Sequence, residues 1–337
     1  MKKVVFTVIL LLLLAAGGFV YWVAFMPNVN PAFKGGIKIP TGSTYQDVIS
    51  ILEEKKVLKN TLGFEIISKL KKYSGKVKPG YYTFGKNLNN RQIVNILRAG
   101  LQTPVQLVIY NIRTKEDFAG LVGRTLEMDS NALLAKLNDK KFCREVGLDT
   151  ATILTHFITD NYELYWNTSL ENFISRMFST YDDFWNDARR AKAKQWGLTP
   201  SEATTLASIV EKEVIFDKEM PTVAGVYLNR LKIGMPLQAD PTLVFALHDF
   251  SARRVTSYHK DFDSPYNSYK YPGLPPGPIC MPRKKSIDAV LNAEQHDFLY
   301  FCANPDMSGY SIFSATYEEQ QKIAAQYRKK LNAMNIH

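Results

Sequence analysis

Glu211 and Glu213 flank Lys212 near the end of a strongly helical stretch that runs from Thr199 to Gly234. Thr199 can cap that helix, Pro200 sits where a missing N–H costs nothing, and Glu202 completes a capping box. Behind the cap, Leu206, Ile209 and Val210 recur at helical spacing. At about 100° per residue Glu213 falls on their apolar side, while Glu211 faces the opposite way, toward water. A carboxylate set on an apolar face loses hydration, and its pKa rises. A carboxyl group still protonated near neutral pH is a general acid, able to protonate a leaving group. A glutamate at the end of an amphipathic helix can equally be paired with a nearby Lys or Arg, so the rest of the chain must decide between the two.

A second carboxylate follows in the run Met235-Pro236-Leu237-Gln238-Ala239-Asp240-Pro241-Thr242. Asp240 precedes a proline, which favours an extended backbone, and its simplest role is a turn or cap. The segment Ser264 to Pro282, SPYNSYKYPGLPPGPICMP, holds six prolines together with Tyr266, Asn267, Tyr269 and Tyr271. Each proline restricts φ, so this long loop is expected to be a stiff wall. Upstream, Phe157 to Trp166 (FITDNYELYW) is dense in aromatics, most of which are expected to pack in a core.

The elements that must carry these residues begin with an apolar run from Val4 to Met26, 23 residues without a charge, behind Lys2 and Lys3. That is long enough to span a bilayer, and the apolar run continues past the small residues Ala15 to Gly18, which favours an uncleaved anchor over a signal peptide. Lysines on the inner side place the remainder outside the cytoplasm. Residues 27–36, rich in Pro, Asn and Gly, read as a linker. Residues 37–111 read as a small α+β unit: a strand at Ile37, a helix capped by Ser43 with Gln46, a helix from Thr61, a strand at Gly80, a helix stopped by Gly100, and a strand from Val105. Residues 112–337 read as a larger mixed α+β unit. It holds the Thr199 helix, a second helix from Asp217 to Lys232, strands at Phe298 and Tyr310, and a terminal helix from Tyr317 to Leu331. The fold class expected is thus α+β behind a single transmembrane helix.

Composition narrows the partners. The net charge is +10, from 42 Lys and Arg against 32 Asp and Glu, which suits an anionic polymer or lipid headgroups. No nucleic-acid recognition motif is present, and nucleic acid is not an expected partner. Cys143, Cys280 and Cys302 allow at most one disulfide and suggest no zinc site. The five histidines form no HExxH-type pair, so neither a metal nor another cofactor is expected.

LASIVEKE, VYLNRLKIGMPLQADPT, SPYNSY and GLPPGPI occur in that order between Leu206 and Ile279. Together they resemble the signatures of the MltG (YceG-like) endolytic murein transglycosylases. The sequence departs from that pattern at Ile158-Thr159 and at Val214, where the family often has a proline and a small polar residue. The resemblance implies a membrane helix, a LysM-like subdomain over 37–111 and an extracytoplasmic catalytic domain over 112–337. It implies peptidoglycan glycan strands as substrate and Glu213 as the catalytic acid. It also implies that Gln238, Asp240, Tyr266 and Asn267 position the sugar by hydrogen bonds and stacking. In such a reaction one carboxylate suffices, because the nucleophile is the muramic acid C6 hydroxyl. Two other readings remain open on the residues. A two-carboxylate hydrolase would use Glu213 with Asp240, set about 5–5.5 Å apart or wider with room for water. A non-catalytic scaffold would bind the wall and tether peptidoglycan synthases.

Overall fold

The computed structural model describes residues 2–251 and 257–333. The chain gathers into two compact units, the smaller comprising Met1–Leu107, Val122–Asp129 and Tyr162–Ser169, the larger Val108–Leu121, Ser130–Asn161 and Leu170–His337. The class is α+β, as expected. Helix α1 (Lys2–Phe25) is long and apolar enough to cross a membrane, with a mean hydropathy of 2.6 within Lys3–Phe25.

In the smaller unit β1 (Gly36–Ile39) and β2 (Gly80–Thr83) pair antiparallel, Ile37 opposite Tyr82. Helices α2 (Tyr45–Glu54) and α3 (Thr61–Leu70) lie between them in sequence, and α4 (Asn90–Ala99) follows. Ile39, Val48, Phe64, Tyr73, Tyr82, Ile93 and Leu97 form the core of this unit. The cap of α2 is Thr44 with Asp47, one residue beyond the expected pair of Ser43 and Gln46. The Asp47 carboxylate accepts from Thr44 N at 2.7 Å and from Thr44 Oγ at 2.8 Å, charge-assisted bonds that the Gln46 amide could not match. Gly100 ends α4 at φ 74°, as the sequence suggested.

Two expectations fail here. The stretch read as a linker is fixed in place: Pro27 bridges to Asn89 and Val29 to Leu58. Asn28 within it is a polar staple, since its buried amide donates to Asn60 O and Asn90 Oδ1, both at 2.7 Å. Nor does a single boundary near residue 111 divide the chain. Strand β3 (Val105–Val108) pairs with β4 (Asn161–Leu164), so the aromatic run FITDNYELYW contributes a strand. The Glu127 carboxylate, far along the sequence, takes Thr41 N at 2.6 Å and Thr41 Oγ at 2.7 Å. Long-range pairing of this kind leaves no mark in local periodicity.

The larger unit contains α5 (Lys115–Thr125) in part, α6 (Ser130–Asn138), α7 (Lys140–Glu145), α8 (Leu170–Phe184), α9 (Asp187–Gln195) and α10 (Pro200–Glu213). After these come α11 (Met220–Lys232), α12 (Asp240–Ala246), α13 (Ser257–Asp261), α14 (Lys284–Leu291), the hairpin β5 (Tyr300–Ala303) and β6 (Ser311–Ser314), and α15 (Tyr317–Ala333). The expected box of Thr199 and Glu202 caps α10, with Pro200 in its first turn. The helix expected from Asp217 starts as a single 3₁₀ turn and becomes α11 at Met220, with Pro221 in the first turn of the α-helix.

α10 is the central element of this unit. Every residue from Ala203 to Val210 is buried, not only the expected stripe. Two of its buried hydroxyls donate within the helix, Thr204 to Pro200 O and Ser208 to Thr205 O. A helix covered all round has no water face, and this corrects the reading of Glu211. Its side chain is only 7% exposed and lies against the start of α14. There it accepts from Arg283 N at 2.7 Å and Ser286 Oγ at 2.6 Å, with Arg283 Nε at 3.2 Å. Glu211 is a structural carboxylate that caps a neighbouring helix.

Candidate active site

Glu213 is the last residue of α10, and the chain turns extended at Val214 (φ −100°, ψ 147°). Its place at the C-terminal end of α10 is one where the helix dipole disfavours negative charge. Glu213 keeps an intermediate exposure, but its Oε2 is buried and has no hydrogen-bond partner. Burial first, and the Asp240 carboxylate second, push its pKa up to about 7; Tyr227 and Arg230 oppose the shift. The Tyr227 hydroxyl, itself buried, lies beside Glu213 without meeting the geometry of a good hydrogen bond.

Helix α11 supplies Tyr227 and Arg230, one turn apart and so on one side. The Arg230 guanidinium is buried and committed to backbone: Nε donates to Leu299 O at 2.6 Å and Nη1 to Leu237 O at 2.5 Å. It therefore ties the segment leading to Asp240 onto α11. Asp240 opens α12 with Pro241 behind it, where the sequence suggested an extended residue; proline is tolerated in a first helical turn. Its Oδ1 accepts from Tyr269 Oη at 2.5 Å.

Ser268 joins the two loop motifs. Its carbonyl accepts from Gln238 N at 2.9 Å, while its hydroxyl accepts from Ala239 N at 3.0 Å and lies 2.8 Å from Thr242 Oγ1. Gln238 is exposed and held at φ 51°. Asn267 is fully buried, with its amide consumed between the end of α13 and its own loop. Nδ2 donates to Lys260 O and Phe262 O, and Oδ1 accepts from Tyr269 N and Lys270 N. Its geometry is that of a brace that presents Tyr269. Tyr266 packs on Phe245, ring centroids 4.9 Å apart, and burial raises its hydroxyl to about 12.

The structure thus gathers Glu213, Tyr227, Arg230, Asp240 and Tyr269 into one electrostatic group. The sequence points to Glu213, Asp240 and the Tyr269 loop, but not to Tyr227, Arg230 or Ser268. The i, i+3 spacing of Tyr227 and Arg230 is the one local signal that could have raised them. A cavity of about 1430 Å³, lined by Trp196, Leu198, Thr199, Leu228 and Pro275, lies against the opposite end of α10 and includes none of these residues. Among the described residues no cluster of His, Cys, Asp and Glu is gathered to hold an ion, and the three cysteines are free.

A single carboxyl that holds its proton to about pH 7, beside a second carboxylate already engaged by a tyrosine, makes this an acid–base centre suited to protonating a leaving oxygen. Comparison with known proteins gives that centre a family. The profile of the YceG-like family matches residues 37–326, and the chain belongs to that family. It is 28% identical to an endolytic murein transglycosylase of Bacillus subtilis (strain 168), over 95% of this chain and 92% of that one. It is also 28% identical to an endolytic murein transglycosylase of Streptococcus pneumoniae serotype 2, covering 96% of this chain and 65% of that longer protein. The crystal structure of a yceG-like protein of Listeria monocytogenes superposes with a TM-score of 0.57 at 29% identity, over 86% of this chain and 98% of that one.

Proposed function

We propose that this chain is a membrane-anchored endolytic peptidoglycan transglycosylase, acting outside the cytoplasm on nascent glycan strands and thereby limiting their length. The observation that carries the reading is Glu213, a buried carboxyl protonated up to about pH 7. Family membership and the activity for which two relatives are named support the substrate class. In the first half of the reaction Glu213 donates its proton to the glycosidic oxygen between N-acetylmuramic acid and N-acetylglucosamine, and that C1–O bond breaks. The muramic acid C6 hydroxyl then bonds to C1 and gives its proton to the Glu213 carboxylate. The product end is 1,6-anhydro-muramic acid, no water is consumed, and the enzyme regains its proton. Asp240 and Tyr269 position the sugar in this scheme, with Gln238 at the rim. Asn267 shapes the loop, and Tyr266 contributes through packing.

The small unit is proposed as the LysM-like module, on the order strand–helix–helix–strand with antiparallel β1 and β2. Peptidoglycan synthases are the natural partners of an enzyme that trims nascent strands. One observation favours a second reading: Asp240 stands close enough to raise the Glu213 pKa, as the partner carboxylate of a hydrolase would. Mass spectrometry of glycan products from the wild-type protein and Glu213→Gln separates the two. Anhydro ends that vanish in the variant support the transglycosylase. Reducing ends indicate hydrolysis, and undiminished cleavage by the variant excludes Glu213 altogether.

A further inference from the structure

Between Ile66 and Leu107 the sequence has eight Lys and Arg and no Asp or Glu, so much of the chain's +10 surplus sits in the small unit. Part of it is gathered around a cavity of about 520 Å³ at the ends of α3 and α4, lined by Lys76, Val77, Lys78, Asn95, Arg98 and Ala99. Cations near helix C-termini often serve only to complement the carbonyl ends. Two of these do so or are otherwise engaged: Lys78 Nζ donates to Ala99 O at 3.1 Å, and Lys71 Nζ, nearby, to Asn95 Oδ1 at 2.8 Å. The others are uncommitted. Arg98 Nε is buried with no hydrogen-bond partner, and Lys76, at the cavity wall, is exposed. Gly100 leaves room for the Lys78 stem; a Cβ there would stand 2.7 Å from Lys78 Cδ.

We propose that this cavity is an anion site for a carboxylate carried by an extended envelope polymer, with Arg98 and Lys76 as its free donors. A cavity whose lining holds a guanidinium and ammonium groups and no acidic residue fits an oxyanion. The position of the cavity argues against lipid headgroups. Both helices start at the exit of α1: Asn90, at the head of α4, donates to Val23 O at 2.8 Å, and Asn28 reaches Asn60 O, at the α3 cap, at 2.7 Å. The cavity lies at their other ends, about 15 Å along a ten-residue helix. Resting on the proposed substrate, the inference is that the peptides borne by the glycan strand, which end in carboxylates, dock here.

The test uses the full chain carrying Glu213→Gln, reconstituted in zwitterionic lipid so that binding is read without turnover. Affinity is measured for glycan strands bearing peptides, for strands stripped of them, and for anionic vesicles. Lys76→Gln with Arg98→Gln is expected to weaken binding to peptide-bearing strands about tenfold and to flatten its salt dependence, leaving stripped strands unaffected. Arg98→Lys should keep most of the affinity, and Lys76→Gln alone, at an exposed position, gives the readout if the double variant does not fold. Unchanged affinity, an equal loss on stripped strands, or a loss confined to anionic vesicles overturns the proposal. Absence of cleavage by the unmutated enzyme would count against the transglycosylase reading instead, and leaves the affinity comparison readable.

Discussion

Burial by itself would only make Glu213 a poor anion; what gives it chemical use is a proton held to about pH 7. Under the proposed mechanism it acts first as an acid and must be protonated to start the reaction. The pH profile of kcat/KM should therefore fall on the alkaline side of about 7, and a profile flat from pH 6 to 9 would sink the assignment. The neighbours set the position of that limb. The Asp240 carboxylate raises the Glu213 pKa, so Asp240→Asn should move the limb toward acid while much activity survives. If Asp240 were a hydrolase nucleophile, the same change would remove activity by orders of magnitude. Tyr227→Phe removes a group that favours the Glu213 anion, and the limb should move toward alkali. The same shift has a stability sign. Because the folded pKa is raised from 4.5 to about 7, the protonated carboxyl is favoured in the folded state below that value, and ionisation above it costs folding free energy. Glu213→Gln should accordingly stabilise the fold at pH 8 by roughly 2 kcal/mol after allowance for its partial exposure, and much less at pH 5, as read by urea unfolding.

At the level of elements, the two carboxylates of the triplet divide along helix contacts. Glu211 holds the head of α14 through Arg283 N and Ser286 Oγ, whereas Glu213 projects from the end of α10 toward α11 and the loop before α12. Glu211→Ala should destabilise the larger unit by roughly 2–4 kcal/mol, because it leaves the Arg283 N and Ser286 Oγ donors without their acceptor and Arg283 with Asp217 alone as its carboxylate partner. The molecules still folded should cleave at a normal rate, whereas an equal loss of stability and rate constant would place Glu211 in the site. The α10 cap, its proline and the phase of Glu213 were legible in the sequence because they depend on residues within a few positions. The fate of Glu211 was not, since the residues that bury it lie more than 70 positions away. The strand within FITDNYELYW and the brace formed by Asn267 were hidden for the same reason. β4 exists only by pairing with β3, and Asn267 reaches back to the end of α13 and forward into a proline-rich loop that has no period.

For the whole molecule, the connection between the apolar helix and the folded part governs how the enzyme would stand on a membrane. Composition suggested a linker over residues 27–36; the structure builds the last turn of α1 into the small unit. Most of α1 is exposed, but Val23 and Ala24 are 3% and 6% exposed, and the Val23 carbonyl takes the buried Asn90 amide. Arg91 lies over the Phe25 ring at 4.9 Å, and Lys59 Nζ donates to Pro27 O at 3.1 Å. A chain that starts at Pro27 therefore loses two buried apolar side chains and strands the Asn90 donor, whereas a chain that starts at Tyr21 keeps both. The shorter chain should be less stable in the small unit by roughly 2–4 kcal/mol, from apolar area and one orphaned amide. Thermal unfolding of the two soluble chains should show a lower first transition for the one starting at Pro27, with the transition of the larger unit unmoved. Asn90→Ala should destabilise the chain starting at Tyr21 but cost the shorter chain much less, because its acceptor at Val23 is already gone. Equal midpoints for the two chains would mean that the contact around Val23 adds nothing to the fold, and that α1 leaves the small unit as a free tether after all.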